Sequence, residues 1–288
     1  QRIRELHAKF SFLFDVPMSK ITPQAIEKWR QQEYEAKKAA ATIRRNETTL
    51  RAALNKAVEL KFIASNPLEG TSLVKVDDNS IVRFLTPDEE QRLYAAIDER
   101  EHRIKSERLS ANEWRKQRGY DEKIDLSQLT FADHLKPAVL VAINTGLRAG
   151  ELLKLKWSEV NFEQRILTVL GSNAKSRKNR HVPLNKIAHE TLARWQEQSQ
   201  GDLVFPGIDG KPMFNIPKKP WDAVLNAAGI TKFRWHDLRH HFASRLVMKS
   251  VDLNTVRELL GHSDIKMTLR YAHLAPEHKA AAVAVLED

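Results

Sequence analysis

The 288-residue sequence contains no cysteine. Disulfide bonds, cysteine-based zinc sites and thiol chemistry are therefore excluded. The sequence also lacks any run of roughly 18–20 apolar residues that could span a membrane, and it shows no secretory signal. These absences fit a soluble cytoplasmic protein with no membrane partner. The chain begins at Gln1 rather than at methionine, so we expect it to be a fragment.

What the chain has in excess is positive charge. It carries 47 Lys and Arg against 37 Asp and Glu, for a net charge of +10 and an isoelectric point near 9.7. Residues 1–76 hold 14 of the basic and 8 of the acidic residues, so six of the ten net charges lie in the first quarter. This distribution favours a polyanionic partner, nucleic acid above all, over an ordinary basic protein.

The sequence pattern divides the chain into two domains. Residues 1–76 have a helical apolar pattern, residues 77–84 read as a polar linker, and residues 85–288 form the larger domain. We expect a mainly α fold with a small antiparallel β-hairpin or sheet, because 160–170 and 180–184 have strand character and flank a polar stretch.

Helix starts are marked by a capping threonine and a first-turn proline at Thr22-Pro23 and Thr86-Pro87. Charged residues 99–125 indicate an exposed insertion or long loop, with a solvated helix as its default state. Further helices are expected over 41–60, 214–228, 237–248, 253–260 and 276–286.

Residues that carry chemistry gather in the last third. His236 and Arg239 lie three apart at a predicted helix start, where backbone N–H groups attract anions. Gly261 is placed to end the next helix in the left-handed conformation, with His262 on the turn beyond it. Tyr271 follows nine residues later.

A second arginine, Arg148, stands upstream in Thr145-Gly-Leu-Arg148-Ala-Gly-Glu151. Tyrosine supplies a nucleophilic oxygen, arginine a fork of donors for phosphate oxygens, and histidine a proton acceptor near neutral pH. The set indicates chemistry on a phosphodiester.

Each of these residues also has a plainer interpretation. A single tyrosine is usually packing, His262 could only cap a helix, and Arg148 with Glu151 could be a surface ion pair. His236 and His240 are spaced for a metal pair, yet no zinc-protease glutamate lies between them and Arg239 would repel a cation. We therefore predict no metal.

The joint pattern resembles the tyrosine recombinase, or phage integrase, family, whose signature reads Arg…Lys…His-x-x-Arg…His/Trp…Tyr. The resemblance spans nearly the whole chain: residues 1–76 are similar to the family's helical core-binding domain and 85–288 to its catalytic domain. Counting back from Val182-Pro183-Leu184 assigns the lysine to Lys175, with Lys178 as the alternative. The catalytic set that the resemblance implies is Arg148, Lys175, His236, Arg239, His262 and Tyr271.

The resemblance implies a DNA strand transferase. Tyr271 would attack the scissile phosphate and form a 3′-phosphotyrosyl link, while a 5′-hydroxyl departs. One phosphodiester is exchanged for another, so neither a nucleotide cofactor nor a metal is required. In the expected roles, the two arginines clamp the phosphate, His236 is the general base, Lys175 the general acid, His262 a phosphate ligand and Glu151 an orienting group.

The implied partner is double-stranded DNA carrying an attachment or core site. The resemblance also implies that the protein forms a homo-tetramer on DNA, that it is a monomer or weak oligomer when free, and that a DNA-bending accessory protein is a further partner. Both domains are expected to contact the duplex, mostly at phosphates. The first-choice contacts are Arg44, Arg45, Thr48, Thr49 and Arg51, with Lys178 in the larger domain.

The implied role is integration or excision of a prophage or genomic island by a bacterial or phage-encoded enzyme, cytoplasmic and nucleoid-associated, without the family's N-terminal arm-binding domain. Residues 280–286 would pack on a neighbouring protomer or cover their own domain. Two alternatives stay open: relaxation of DNA in the manner of a type IB topoisomerase, and a catalytically silent DNA-binding regulator. A nicked suicide substrate separates them.

Overall fold

The computed structural model describes residues 2–76, 82–173, 178–207 and 209–275. Its backbone clusters into two compact units, Gln1–Ile81 and Val82–Asp288, called here the first and the second unit. Of the expected linker, residues 77–81 lie outside the described residues, and Val82 packs in a hydrophobic cluster of the second unit. No described helix is both long and apolar enough to cross a bilayer.

The first unit is helical, with α1 at Arg2–Phe10, α2 at Pro23–Glu35 and α3 at Ala40–Glu59. The predicted cap at Thr22 is present, because its side chain accepts a hydrogen bond from the backbone N–H of Ala25 at 3.3 Å. Apolar stripes of the three helices meet in one core, in which the rings of Phe10 and Trp29 lie 4.6 Å apart.

The second unit consists of helices around a small sheet. Its helices are α4 Pro87–Gln117, α5 Leu135–Thr145, α6 Ala149–Leu152, α7 Lys186–Gln198, α8 Lys218–Ala227, α9 Asp237–Met248, α10 Leu253–Leu260 and α11 Lys266–Leu269. Helix α5 is apolar on almost every side and is buried against α7 and α9. The expected fold class, mainly α with a small antiparallel sheet, is confirmed.

The sheet has three strands rather than the two of a hairpin. Strand β1 (Val160–Asn161) pairs with β2 (Ile166–Val169), and β2 pairs with β3 (Arg180–Pro183), all antiparallel. The single strand expected over 160–170 was wrong, because a turn divides it. Asn161 accepts a hydrogen bond from the N–H of Gln164 at 2.8 Å, and Arg165 adopts a positive φ of 53°.

Other predicted elements differ in extent. The charged stretch 99–125 is largely helical, because α4, which begins at a Thr86–Glu89 capping box, continues to Gln117. Helix α7 was missed, although Asn185 caps it by accepting from the N–H of Ala188 at 2.9 Å. The helix expected over 276–286 lies outside the described residues.

Candidate active site

Helix α9 begins at the Arg234–Asp237 turn, where Asp237 accepts a hydrogen bond from the backbone N–H of Arg234 at 2.7 Å. His236 is the residue before the helix, and its side chain is exposed. Arg239 lies one turn further and is only 3% exposed. The helix start thus separates an accessible imidazole from a buried guanidinium.

Arg239 ties two helix ends together. Its two terminal nitrogens donate to the carbonyls of Gly146, at 2.7 Å, and Leu260, at 2.6 Å. These residues end α5 and α10, where carbonyls lack helical partners. Burial, followed by the nearby charge of Arg148, lowers the pKa of Arg239 to about 9. The other three of its five N–H donors have no hydrogen-bond partner among the described residues.

Glu151 is the buried anion of the site and holds Arg148. Its carboxylate accepts from the Arg148 backbone N–H at 2.9 Å and from the Arg148 side chain at 2.8 Å. Arg180 on β3 donates two more hydrogen bonds to the same carboxylate, at 3.1 and 2.7 Å. Burial alone would raise the pKa of Glu151, but the hydrogen bonds and charge of Arg180, with those from Arg148, lower it overall. The carboxylate therefore stays charged.

His262 follows the left-handed Gly261, whose φ of 63° fulfils the predicted C-cap. Its Nδ1 lies 2.9 Å from the hydroxyl of the fully buried Thr268. Burial, then the charges of Arg239 and Arg148, lower the pKa of His262 to about 3, so its ring is neutral near pH 7. Within the described part of the second unit, Nε2 has no protein hydrogen-bond partner and is the nitrogen that a ligand can reach.

Tyr271 lies inside its own unit, 1% exposed, in a cluster with Val247 and Leu260. Its backbone N–H donates to the carbonyl of Thr268 at 3.0 Å, which anchors it behind α11. Burial raises the pKa of Tyr271, although the charges of Arg239 and Arg270 oppose that rise. The segment between His262 and Tyr271 thus holds the phenol beside the basic site of the same chain.

The phenol oxygen of Tyr271 has one described hydrogen-bond partner, His240. Tyr271 Oη and His240 Nδ1 lie 2.6 Å apart. The rings of His240 and His236 meet edge to face with centroids 5.0 Å apart. Burial, followed by the charge of His236, lowers the pKa of His240 to about 4, and burial followed by Arg239 lowers that of His236. Sequence reasoning considered His240 only as a metal ligand, and nothing in the local sequence points to a partner 31 residues away.

Of the two candidate lysines, Lys175 lies outside the described residues and Lys178 lies within them. Lys178 is exposed just before β3 and, with His262, lines a cavity of about 310 Å³. A cation in this hairpin can therefore share a ligand with His262.

The candidate DNA contacts of the first unit lie on α3. Arg44, Arg45 and Thr48 are exposed, Thr49 is half-buried, and all four line a surface groove of about 520 Å³. Arg51 is different, because its guanidinium donates to the fully buried Glu47 at 2.9 Å and also bonds Thr71. The structure engages Arg51 within the first unit rather than leaving it as a free surface cation.

Comparison with known proteins identifies relatives of both units. Residues 83–278 match the family model described as "Phage integrase family". A XerC-like tyrosine recombinase of Caldanaerobacter subterraneus subsp. tengcongensis is 27% identical over 98% of this chain and 75% of its own length. The integrase of Salmonella phage P22 is 33% identical, over 50% of this chain and 40% of that protein. The chain thus spans less than half of the P22 enzyme.

Solved structures of similar fold cover almost the entire chain. The Tn1549 transposon integrase, in complex with a circular intermediate DNA, superposes with a TM-score of 0.69 at 20% identity, over 99% of this chain and 91% of that one. A lambda integrase dimer bound to a COC′ core site superposes with a TM-score of 0.65 at 23% identity, over 92% and 88%. These matches show a shared fold.

Proposed function

Because the chain belongs to the tyrosine recombinase, or phage integrase, family, whose members break and rejoin DNA, we propose that it is a site-specific recombinase. It cuts one DNA strand through a 3′-phosphotyrosyl intermediate and rejoins it to another. The observation that carries this proposal is the convergence of Tyr271 with Arg239, Arg148 and His262 in one site. After burial, the charges of Arg239 and Arg148 lower the pKa of His262, and the charge of Arg239 opposes the rise in the pKa of Tyr271 that burial causes.

In this proposal the scissile phosphate occupies the space before Arg148 and Arg239. Arg239 is pre-set by its two carbonyl partners and Arg148 by Glu151. Donors that are already oriented stabilise the charge that develops in the transition state without reorganisation, which is usually the largest catalytic contribution. His262 adds a hydrogen bond through Nε2, and the exposed His236 contacts the phosphate from the open side.

The reaction exchanges one phosphate ester for another. The bond from Tyr271 Oη to phosphorus forms, the bond from phosphorus to O5′ breaks, and the 5′-oxygen leaves with a proton from the hairpin lysine. Lys175 is the first choice for this acid and Lys178 the second. A 5′-hydroxyl of a partner strand then attacks the phosphotyrosine and restores the enzyme.

The proposed substrate is an attachment or core site in duplex DNA. The surface of α3 supplies phosphate contacts through Arg44, Arg45, Thr48 and Thr49. Relatives include a phage integrase and a transposon integrase, which supports a role in integrating or excising a mobile element. The lambda integrase was solved as a tetramer on a Holliday junction, which supports assembly of four copies on DNA.

A nicked suicide substrate tests the proposal. Cleavage close to the nick releases a short fragment and traps the covalent adduct, which denaturing gels detect. We expect adduct with the wild type in the presence of EDTA and without ATP, and none with Tyr271→Phe. A wild type that binds the DNA without forming adduct would instead be a regulator.

Exchange between two duplexes provides the second readout. A labelled strand that moves to an unlabelled duplex is recombination. Relaxation of supercoiled plasmid without such transfer would contradict the assignment in favour of a topoisomerase.

A further inference from the structure

We propose that His240 is the catalytic base that receives the proton of Tyr271 as the phenol attacks the phosphate. This inference rests on the proposed function and deepens it, because it replaces His236 as the proton acceptor expected from the sequence. The carrying observation is the 2.6 Å separation of Tyr271 Oη and His240 Nδ1. That separation is within direct proton-transfer reach.

The hydrogen bond is fixed from both sides. On one side, helix α9 carries His240, and its ring packs edge to face on His236. On the other side, Tyr271 is 1% exposed in an apolar cluster, and its backbone is bonded to Thr268. Neither ring is a surface side chain that happened to be placed near the other. The contact belongs to the folded architecture of the site.

The two histidines are arranged for different tasks. His236 is exposed at the start of α9, where substrate arrives, whereas His240 is half-buried one turn further on. Among the described residues, His240 alone is hydrogen-bonded to the phenol oxygen. His236 is therefore placed to meet the phosphate and His240 to meet the nucleophile.

The proton balance follows from this arrangement. Neutral His240 with its hydrogen on Nε2 presents the lone pair of Nδ1 to the phenol. As the Oη–phosphorus bond forms, the proton of Oη moves to Nδ1 and His240 becomes an imidazolium. The departing O5′ receives a separate proton from the hairpin lysine. No oxidant, metal or cofactor takes part in either transfer.

The charges around His240 explain why the transfer accompanies the attack. His236 faces it from the residue before α9, Asp237 and Arg239 from α9 itself, and Arg270 and Tyr271 from the segment after α11. Burial and His236 keep its pKa low, at about 4, while burial raises that of Tyr271. Prior deprotonation of the phenol is unfavourable, whereas negative charge developing on the phosphate stabilises the new imidazolium.

His240→Asn is the informative variant. The Asn side chain can place a polar atom near the position of Nδ1 and bond the phenol, but an amide does not accept a proton near neutral pH. A base role predicts a fall of about 10²-fold or more in the single-turnover rate of adduct formation. A purely positioning role predicts a rate within about threefold of wild type, and that result would overturn the proposal.

A suicide substrate with a 5′-bridging sulfur distinguishes the two ends of the reaction, because a thiolate leaves without protonation. The defect of His240→Asn should persist on this substrate. If sulfur restores the wild-type rate, His240 serves the leaving group and the assignment to Tyr271 fails. A wild type that forms no adduct on either substrate would instead contradict the proposed function itself.

A control variant tests whether His240→Asn still folds. DNA affinity and melting temperature are compared with those of His102→Asn, an exposed histidine on α4. Should His240→Asn fail to fold, the pH profile of wild type on the sulfur substrate gives the second test. We expect an acidic limb as the pH falls towards about 4, the pKa of His240, and we expect His236→Asn to retain it. A rate that stays flat down to that pH, or a limb that is lost with His236→Asn, refutes the role of His240.

Discussion

Arg180 donates two hydrogen bonds to the carboxylate of Glu151, at 3.1 Å to Oε1 and 2.7 Å to Oε2. Its Nε donates a third to the carbonyl of Leu259 at 3.0 Å. One side chain therefore ties strand β3 to the carboxylate that orients Arg148 and to the end of the helix that precedes His262. The described site depends on this buried cation, although the family signature does not include it.

We expect Arg180→Met to cost about 3 kcal/mol or more of unfolding free energy, because it removes two of the hydrogen bonds that the buried Glu151 carboxylate accepts and the nearest opposite charge. Arg180→Lys keeps the positive charge but not the planar guanidinium that donates two parallel hydrogen bonds, so it should lose less unfolding free energy than Arg180→Met. Urea unfolding measures both. The control is Lys186→Met, which removes an exposed ion pair whose Lys186 Nζ lies 3.9 Å from Glu190 Oε1. This variant should cost less than about 0.5 kcal/mol of unfolding free energy. Equal stability of Arg180→Met and wild type would contradict the prediction.

Local signals in the sequence predicted the elements that present the site. The bounds of α9 and α10 agree with the structure, as does the left-handed Gly261, because caps and apolar spacing are encoded within a few residues. Helix α7 also had such signals in its Asn185 cap and its Leu192–Trp195 face, and it could have been found.

The pairings across the fold were not accessible in the same way. Tyr271 meets His240 across 31 residues, and Arg180 meets Glu151 across 29. Nothing local distinguishes Arg180 from Lys178 two residues before it, since both are cations of one basic hairpin. Arg180 is buried because it begins strand β3, whose residues alternate between buried and exposed, whereas Lys178 lies before the strand and is exposed. Which face of a strand is buried is fixed poorly by the sequence alone.

Gly261 should be intolerant of a side chain for two reasons that can be separated. Its φ is 63°, and an added Cβ would lie 2.9 Å from Cδ of Arg180. Gly119 has a similar φ of 69° with nothing within 4 Å of the added Cβ. We expect Gly119→Ala to cost about 1–2 kcal/mol from backbone strain alone, and Gly261→Ala to cost clearly more. Urea unfolding of both variants checks this. Equal losses of unfolding free energy would show that the Arg180 side chain moves away from the added Cβ without destabilising the protein.

The two arginines at 45 and 51 should separate DNA binding from stability. Arg51 neutralises Glu47, which is 0% exposed and also bonded to Arg30 at 2.6 Å, so Arg51→Ala should destabilise the protein by about 1–3 kcal/mol. Arg45 is exposed, so Arg45→Ala should leave stability unchanged. It should weaken DNA binding across sequences and reduce the slope of log K against log salt by about one. Filter binding at several salt concentrations measures the DNA affinity of each variant and its salt dependence. An unchanged slope for Arg45→Ala would exclude the contact between α3 and DNA.

The half-buried His240 and the buried His262 should make stability depend on pH below about 6.5, the ordinary pKa of histidine. In the folded protein the pKa of His240 is lowered to about 4 and that of His262 to about 3, against an ordinary value of 6.5. Between these values the unfolded chain binds more protons than the folded one, so stability falls as pH drops from about 6.5 towards 4.

The loss of unfolding free energy over that interval should amount to about 1–3 kcal/mol. This is less than the full pKa shifts would give, because the rings are partly solvated. It can be measured as a falling urea midpoint in steps from pH 7 to pH 4.5. His240→Asn combined with His262→Asn should flatten the dependence, because an amide does not titrate. His102→Asn should leave it unchanged, since that ring is exposed. A double variant that keeps the full slope would assign the effect to other groups, the half-buried His134 first among them, because its pKa is also lowered by burial.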